Sequence, residues 1–284
     1  MNDQSTYTLL ERILFLPTII DKEKLRNSLR GKTILITGAS SGIGEQTAYF
    51  LADVNVHLIL VARREENLLA MKEEIEKQTA KVSIFQADLR NGDEMEKLLA
   101  FLHQLPDGLD IVVNNAGKSI RRLINQSLDR YHDFTRTMAI NYFAPVKLLL
   151  SVIPLLQKNQ GQIINISTIN ALLHPFPKWA AYQASKSAFD IWLRSTAPEL
   201  NVMGISTASI YLPLVKTPMI LPTKAYEKMP AMCSNHVAKI ICKTMYTRRS
   251  KYWPWWVPFG QFGSLFLRGI LERMLPAILR KRGK

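Results

Sequence analysis

Cysteine is scarce in this sequence: Cys233 and Cys242 are the only two, eight residues lie between them, and no His–Cys cluster at ligand spacing accompanies them. That excludes a disulfide framework and offers no zinc site, so no metal is expected and the chain reads as cytoplasmic or otherwise from a reducing compartment. Long apolar runs are missing too. No uninterrupted stretch reaches the ~18 residues that a membrane-crossing helix needs. The opening "MNDQSTYTLLERILFLPTII" begins acidic and is broken by Glu11 and Arg12, which does not read as a secretory leader. Acids are few: 23 Asp and Glu stand against 37 Lys and Arg, a net charge of +14. No nucleic-acid module accompanies that charge, so nucleic acid is not an expected partner. The five histidines (57, 103, 132, 174 and 236) are scattered and read as structural or surface residues.

Hydrophobic residues make up 47% of the 284, and charged residues 21%, a composition that buries a core. Short runs rich in Val and Ile alternate with longer amphipathic segments. "TILIT" (33–37), "VHLILVA" (56–62), "KVSIFQA" (81–87), "LDIVVNN" (109–115), "GQIINIS" (161–167) and "GISTASIY" (204–211) read as six strands. They lack polar alternation, as strands covered on both faces do. "EENLLAMKEEIEKQ" and "DEMEKLLAFLHQL" carry helical period. Strands and helices in alternation predict an α/β fold: a single doubly wound, Rossmann-type parallel sheet flanked by helices, with a helical, aromatic C-terminal extension. The expected organisation is an amphipathic arm (1–30), a binding and catalytic core (31–211), and a substrate lid with C-terminal extension (212–284) in the same domain.

Directly after the first strand comes "TGASSGIG" (37–44). Gly38, Gly42 and Gly44 permit a tight turn, close approach of backbone to a pyrophosphate, and packing of the next helix, whose N-terminus faces the phosphates. Strand, loop and helix stand in the order a dinucleotide site requires. A glycine turn without a ligand is the plainer alternative. The second strand ends in "VARREE" (61–66), with Ala62 where an NAD enzyme places an acid, followed by Arg63 and Arg64. A guanidinium grips a 2′-phosphate that a carboxylate would repel, so NADP(H) is the expected cofactor. Alternatively, both arginines merely pair with Glu65 and Glu66.

In "AAYQASKSAF" (180–189), Tyr182 and Lys186 are four residues apart, on one face of a helix. With Asp88 in "ADL", "NNAG" (114–117), Asn141 in "AIN", "NIST" (165–168) and "YQASK" (182–186), residues 31–219 resemble the short-chain dehydrogenase/reductase family. The resemblance implies Tyr182 as acid or base and Lys186 as the cation that binds the nicotinamide ribose and lowers the phenol's pKa. It implies Asn141 holding a relay water and Thr168 polarising the substrate oxygen, where the family usually has serine. It places the cofactor on Gly38, Ser40, Ser41, Gly42, Ile43, Gly44, Arg63, Arg64, Asp88, Leu89, Asn115, Ala116, Gly117, Tyr182, Lys186, Pro213 and Thr217. Asp88 would lie against adenine and Asn114 near its ribose. A second departure is Leu214 in "YLPLVKTPM", where the family has glycine after proline, so the turn there is expected to differ.

"MILPTKAYEKMP" (219–230) reads as a lid with Met219, Ile220 and Leu221 toward the site, hence an apolar pocket for a small hydrophobic carbonyl or alcohol. The lid and tail are similar to family members acting on fatty-acyl chains, such as bacterial fatty acyl-CoA reductases; retinoid and hydroxysteroid dehydrogenases fit nearly as well. The tail carries Trp253, Trp255, Trp256, Phe259, Phe262 and Phe266, and ends in Arg280, Lys281, Arg282 and Lys284. Aromatics beside basic residues suit peripheral contact with a membrane surface, or completion of the core or of a dimer interface. The family resemblance implies a homo-oligomer. The leading expectation is an NADP(H)-dependent oxidoreductase moving a hydride to or from a lipid-like carbonyl or hydroxyl. The alternative is a dinucleotide-binding regulator or membrane-associated scaffold with little catalysis.

Overall fold

A computed structural model describes residues 7–282. Residues 1–6 of the arm, Lys284, and the side chains of Lys281 and Arg282 at the basic end lie outside the described residues. The six expected strands form as β1 (Lys32–Thr37), β2 (Val56–Ala62), β3 (Lys81–Gln86), β4 (Ile111–Asn114), β5 (Gln162–Thr168) and β6 (Ser206–Leu212). Two-residue strands follow: β7 (Val215–Lys216), β8 (Met232–Cys233) and β9 (Lys251–Tyr252). The main sheet has the order β3-β2-β1-β4-β5-β6-β9 and every pairing is parallel. β9 is a seventh strand that the sequence did not announce, because two residues are too short to show a period. β1 is buried along nearly its whole length and β5 throughout, which accounts for their continuous apolar runs.

The helices are α1 (Leu9–Leu14), α2 (Lys22–Leu29), α3 (Gly42–Phe50), α4 (Glu65–Ile75), α5 (Gly92–His103), α6 (Tyr131–Met138), α7 (Ala144–Lys158), α8 (Ala180–Val202), α9 (Ser234–Thr247), α10 (Val257–Phe266) and α11 (Arg268–Arg282). One side of the sheet packs against α2, α3, α4 and α9, the other against α5, α7 and α8. Between α6 and α7 lies a π-helical segment, Ala139–Phe143, which carries Asn141. The continuous stretch Tyr131–Lys158 is long and apolar enough to cross a membrane by length and composition. Its apolarity has another use here: Leu148, Leu149, Val152 and Leu156 are buried in the core.

The arm is part of the body. Tyr7, Phe15, Leu25 and Leu29 are buried in the core. Tyr7 Oη lies 3.0 Å from His236 Nδ1, and Thr18 Oγ1 lies 3.0 Å from His236 Nε2. The sheet order reverses direction between β2-β1 and β1-β4-β5, and the crevice at the carboxyl ends of these strands is where such a sheet binds ligands.

Candidate active site

Thr37 ends β1, and the loop that follows reaches α3 at Gly42. Gly38 and Gly42 have φ of +65° and +64°, which side-chain-bearing residues rarely adopt. A Cβ on Gly44 would lie 2.6 Å from the Gly38 carbonyl oxygen, so only glycine lets α3 pack there. Asn115 Nδ2 braces the loop by donating to the carbonyls of Thr37 (2.9 Å) and Gly38 (3.1 Å). Ser41 begins α3 without a side-chain cap, so the first-turn N–H groups are left to a ligand or to Glu45, which accepts from Gly42 N–H at 3.2 Å. This backbone cradle fits the pyrophosphate of a dinucleotide. Of the predicted loop residues, Gly38, Ser40, Ser41, Gly42 and Ile43 line the cavity, while Gly44 stands behind it.

At the end of β2, Arg64 Nη2 donates to the Ser40 carbonyl (3.1 Å) and hydroxyl (3.2 Å). Arg63 is exposed along the cavity wall. Among the described residues neither arginine pairs with Glu65 or Glu66, so the reading in which both only serve the next helix does not hold. Asp88 is engaged by a residue that sequence reasoning passed over: Arg90 grips it with Nη2–Oδ2 at 2.5 Å, and this holds the carboxyl below its ordinary range. Lys118 also lines the cavity, its pKa lowered by burial and then by Arg136, Arg90 and Arg63. This stretch of the cavity is therefore rich in cations. Asn114 does not line the cavity; it donates to Asn165 Oδ1 at 3.2 Å, tying β4 to β5.

Tyr182, Lys186 and Thr168 meet on the opposite wall, with Ala116, Gly117, Pro213 and Thr217. Lys186 Nζ donates to the Ile166 carbonyl at 2.9 Å, and burial lowers its pKa to about 8. Burial raises the Tyr182 phenol to about 12, although the Thr168 hydroxyl beside it pulls the other way. Tyr226 adds to the rise, and the expected lowering by Lys186 is not among the influences on the phenol. Asn141 is 2% exposed and does not face the cavity. Both N–H bonds of its amide are spent, on the Lys118 carbonyl and Ser185 Oγ at 2.9 Å each, and its Oδ1 accepts from Lys118 N–H. These bonds fix its side chain between the loop after β4 and α8. A π-bulge at this position is the sort of irregularity that accompanies functional sites.

The cavity has a volume of about 730 Å³, and Phe176, Trp179, Met219, Ile220, Tyr226 and Met229 give it an apolar, aromatic stretch of wall. Trp179 Nε1 donates to Tyr226 Oη at 3.0 Å, and the Arg121 guanidinium lies 5.2 Å from the Trp179 ring centroid. Arg121 Nε is buried without a hydrogen-bond partner. Trp179, Tyr226 and Arg121 were not singled out from sequence; they come from three segments distant in the chain. Leu214 proves compatible with its turn: it has no positive φ, and its carbonyl accepts from Met232 N–H at 2.8 Å, joining β7 to β8. That pairing carries Thr217 over the phosphate loop, within 3.0 Å of where a Gly42 Cβ would lie.

Comparison with known proteins gives a consistent picture. Residues 32–228 match the family model described as short chain dehydrogenase. A fatty acyl-CoA reductase of Acinetobacter baylyi is 44% identical over 76% of this chain and 73% of its own. One of Mycobacterium tuberculosis is 37% identical over 78% and 75%. Among solved structures, a short-chain dehydrogenase from Sphingobium yanoikuyae in complex with NADPH superposes with a TM-score of 0.70 at 24% identity, covering 78% of this chain and 86% of that one.

Proposed function

The chain belongs to the short-chain dehydrogenase/reductase family of oxidoreductases, and on that footing we propose that it is an NADP(H)-dependent reductase of the carbonyl group of fatty-acyl substrates. The observation that carries this reading is the meeting of Tyr182, Lys186 and Thr168 at the end of a cavity whose remaining wall is mostly apolar and aromatic. The relatives named fatty acyl-CoA reductases supply the substrate class. The cofactor, when bound, supplies the hydride. Arg63 and Arg64 favour its 2′-phosphate, and the glycine loop takes its pyrophosphate.

Thr168 Oγ donates to the substrate oxygen and orients the carbonyl toward Tyr182. Tyr182 gives its phenolic proton to that oxygen as charge develops on it. An aldehyde is thereby reduced to the alcohol, whereas a thioester gives a hemithioacetal whose C–S bond then breaks to release the thiol and the aldehyde. A phenol with a pKa near 12 is fully protonated at neutral pH, so it is ready as an acid in the reductive direction. Lys186 holds the ribose and, once charged, steadies the phenolate left behind. The lid residues Met219 and Ile220 exclude water from the acyl chain. The threonine that stands where the family usually has serine keeps the hydroxyl this role requires.

The test is NADPH oxidation by purified protein over long-chain acyl-CoAs, long-chain aldehydes, retinal and ketosteroids, with Tyr182→Phe in parallel. Tyrosine-dependent turnover on acyl-CoA or aldehyde is expected. Turnover confined to retinal or steroids would move the substrate class, and turnover that survives Tyr182→Phe would overturn the assignment of the acid.

A further inference from the structure

A large part of the surface at the two termini is apolar. On α1 and the segment after it, Leu9, Leu10, Ile13, Leu16 and Ile19 are each more than half exposed, Ile19 by 79%. On α10, Phe259, Phe262, Leu265 and Phe266 are exposed by 66–73%. The two patches adjoin, since Trp255 Nε1 donates to the Ile13 carbonyl at 2.9 Å, and Trp255 and Phe259 rings meet edge to face at 6.2 Å. Monomeric soluble proteins rarely leave so much contiguous apolar surface without a partner.

The patch leads to the active-site cavity. α10 packs on the loop after β5 through Ser264 Oγ, which accepts from His174 N–H at 3.1 Å, and through Gly260 against Leu173, a cavity-lining residue. α1 is tied to the lid by Glu11, which pairs with Lys216 at 2.9 Å and accepts from Ala231 N–H at 3.0 Å. Between these ties the lid exposes Leu221 by 76%, with Met219 and Met229, both cavity-lining, about half exposed. Apolar side chains therefore run from both terminal helices to the rim of the substrate cavity.

Charge selects the occupant. From Arg248 onward nine Lys or Arg stand against a single acid, Glu272. Arg12, Lys22 and Lys24 near α1, and Arg273 and Arg280 on α11, are exposed. A second copy docked on this face about a two-fold axis would set the same basic segment against itself. A bilayer with anionic headgroups instead takes the aromatic and aliphatic side chains into its acyl boundary and the cations at its phosphates. We propose that α1, α10 and the lid form one face that docks on an anionic lipid surface and opens the substrate cavity toward the bilayer. The opening of the cavity toward lipid rests on the fatty-acyl reading above; the docking does not.

The experiment is co-sedimentation of the full chain with vesicles of phosphatidylcholine alone and of phosphatidylcholine mixed with phosphatidylglycerol. The variants are Phe259→Glu/Phe262→Glu on α10 and, separately, Leu9→Glu/Ile13→Glu on α1. Thermal unfolding of each variant confirms that it is folded, and turnover of a short, water-soluble aldehyde is expected to be unchanged. The wild type is expected to pellet with the anionic vesicles, and either double variant to lose roughly tenfold in partitioning. Equal partitioning of wild type and both variants overturns the proposal. So does a wild-type dimer in sedimentation velocity that both variants abolish while no protein pellets with vesicles, since a second copy then covers the face. Vesicle binding is read without turnover, so a failure of the catalytic reading leaves this result interpretable.

Discussion

Lys186 donates its ammonium to the carbonyl oxygen of Ile166 at 2.9 Å, so the cation one helical turn from Tyr182 is tied to β5 in the free protein. Burial has lowered its pKa from 10.5 to about 8. Two opposite pH dependences follow. The folded chain disfavours the buried ammonium, so the unfolded state binds more protons, and stability rises with pH between about 8 and 10.5. Cofactor binding needs the ammonium as a donor, so NADPH affinity falls over the same window. Calorimetric titration with NADPH and thermal unfolding of the free protein, both from pH 7 to pH 10, read the two slopes. Slopes of the same sign would show that Lys186 does not govern cofactor binding.

Tyr182→Phe removes the proton donor and little else. Turnover is expected to drop by about 10²–10⁴-fold, with NADPH affinity within threefold of wild type. Thr168→Val removes the hydroxyl beside the phenol and, if it polarises the substrate oxygen as proposed, is expected to cost roughly 10²-fold in kcat, whereas Thr168→Ser keeps most of the activity. The orphaned, buried Ser167 hydroxyl is the control. If Ser167→Ala costs more than Thr168→Val, the two residues have been assigned the wrong way round.

The sheet was legible because strands buried on both faces leave unbroken apolar runs, and β2 falls on "VHLILVA" from end to end. The cofactor loop was legible because its glycines answer to backbone geometry that few other residues can adopt. What the sequence hid depends on side chains from distant segments meeting. Arg90 reads as an ordinary surface residue until its bidentate grip on Asp88 is seen. Trp179, Tyr226 and Arg121 form one wall from positions 58 and 47 residues apart along the chain only through the fold, as the Trp179–Tyr226 hydrogen bond shows. Asn114 and Asn115 are neighbours of like chemistry, yet strand alternation sends one into the sheet and the other to the phosphate loop.

Arg63 and Arg64 are expected to separate in their effects. The Arg63 side chain has no hydrogen bond or ion pair among the described residues, its backbone carbonyl accepting from Gln86 Nε2, so Arg63→Ala should weaken NADPH by about 10–100-fold, the loss of one or two charge-assisted hydrogen bonds, and leave NADH within threefold. Arg64 also ties Ser40 of the phosphate loop to the end of β2. Arg64→Ala should therefore weaken both cofactors. Fluorescence titration with each nucleotide decides it, and equal losses for Arg63→Ala would remove the basis for choosing NADP(H).

Glu11 is 4% exposed and joins the arm to the lid. Burial alone would raise its pKa, but the Lys216 ammonium and the N–H groups of Ala231 and Thr8 outweigh that and hold it at about 2. A depressed carboxyl contributes stability above its unfolded pKa of about 4.5 and loses it as pH falls toward 2. Glu11→Gln is expected to flatten the acid limb of the stability curve between pH 5 and 2 and to loosen the lid, seen as faster amide exchange at Ala231. An unchanged acid limb would place the acid-labile group elsewhere.

Arg121 stands in a wall that is otherwise apolar and aromatic, stacked over Trp179 and without an acid partner among the described residues. A guanidinium held by a ring and left unpaired at Nε awaits an anion, and a fatty acid activated on a phosphate-bearing carrier brings one. Arg121→Met keeps the stem that covers Trp179 and removes only the charge. Its KM for long-chain acyl-CoA is expected to rise by about 10–100-fold, as the loss of a charge-assisted hydrogen bond requires. The free long-chain aldehyde has no phosphate, so its KM should change by less than threefold, and kcat for both should stay near the wild-type value. Equal increases for the two substrates would mean that Arg121 shapes the wall and does not read the charge.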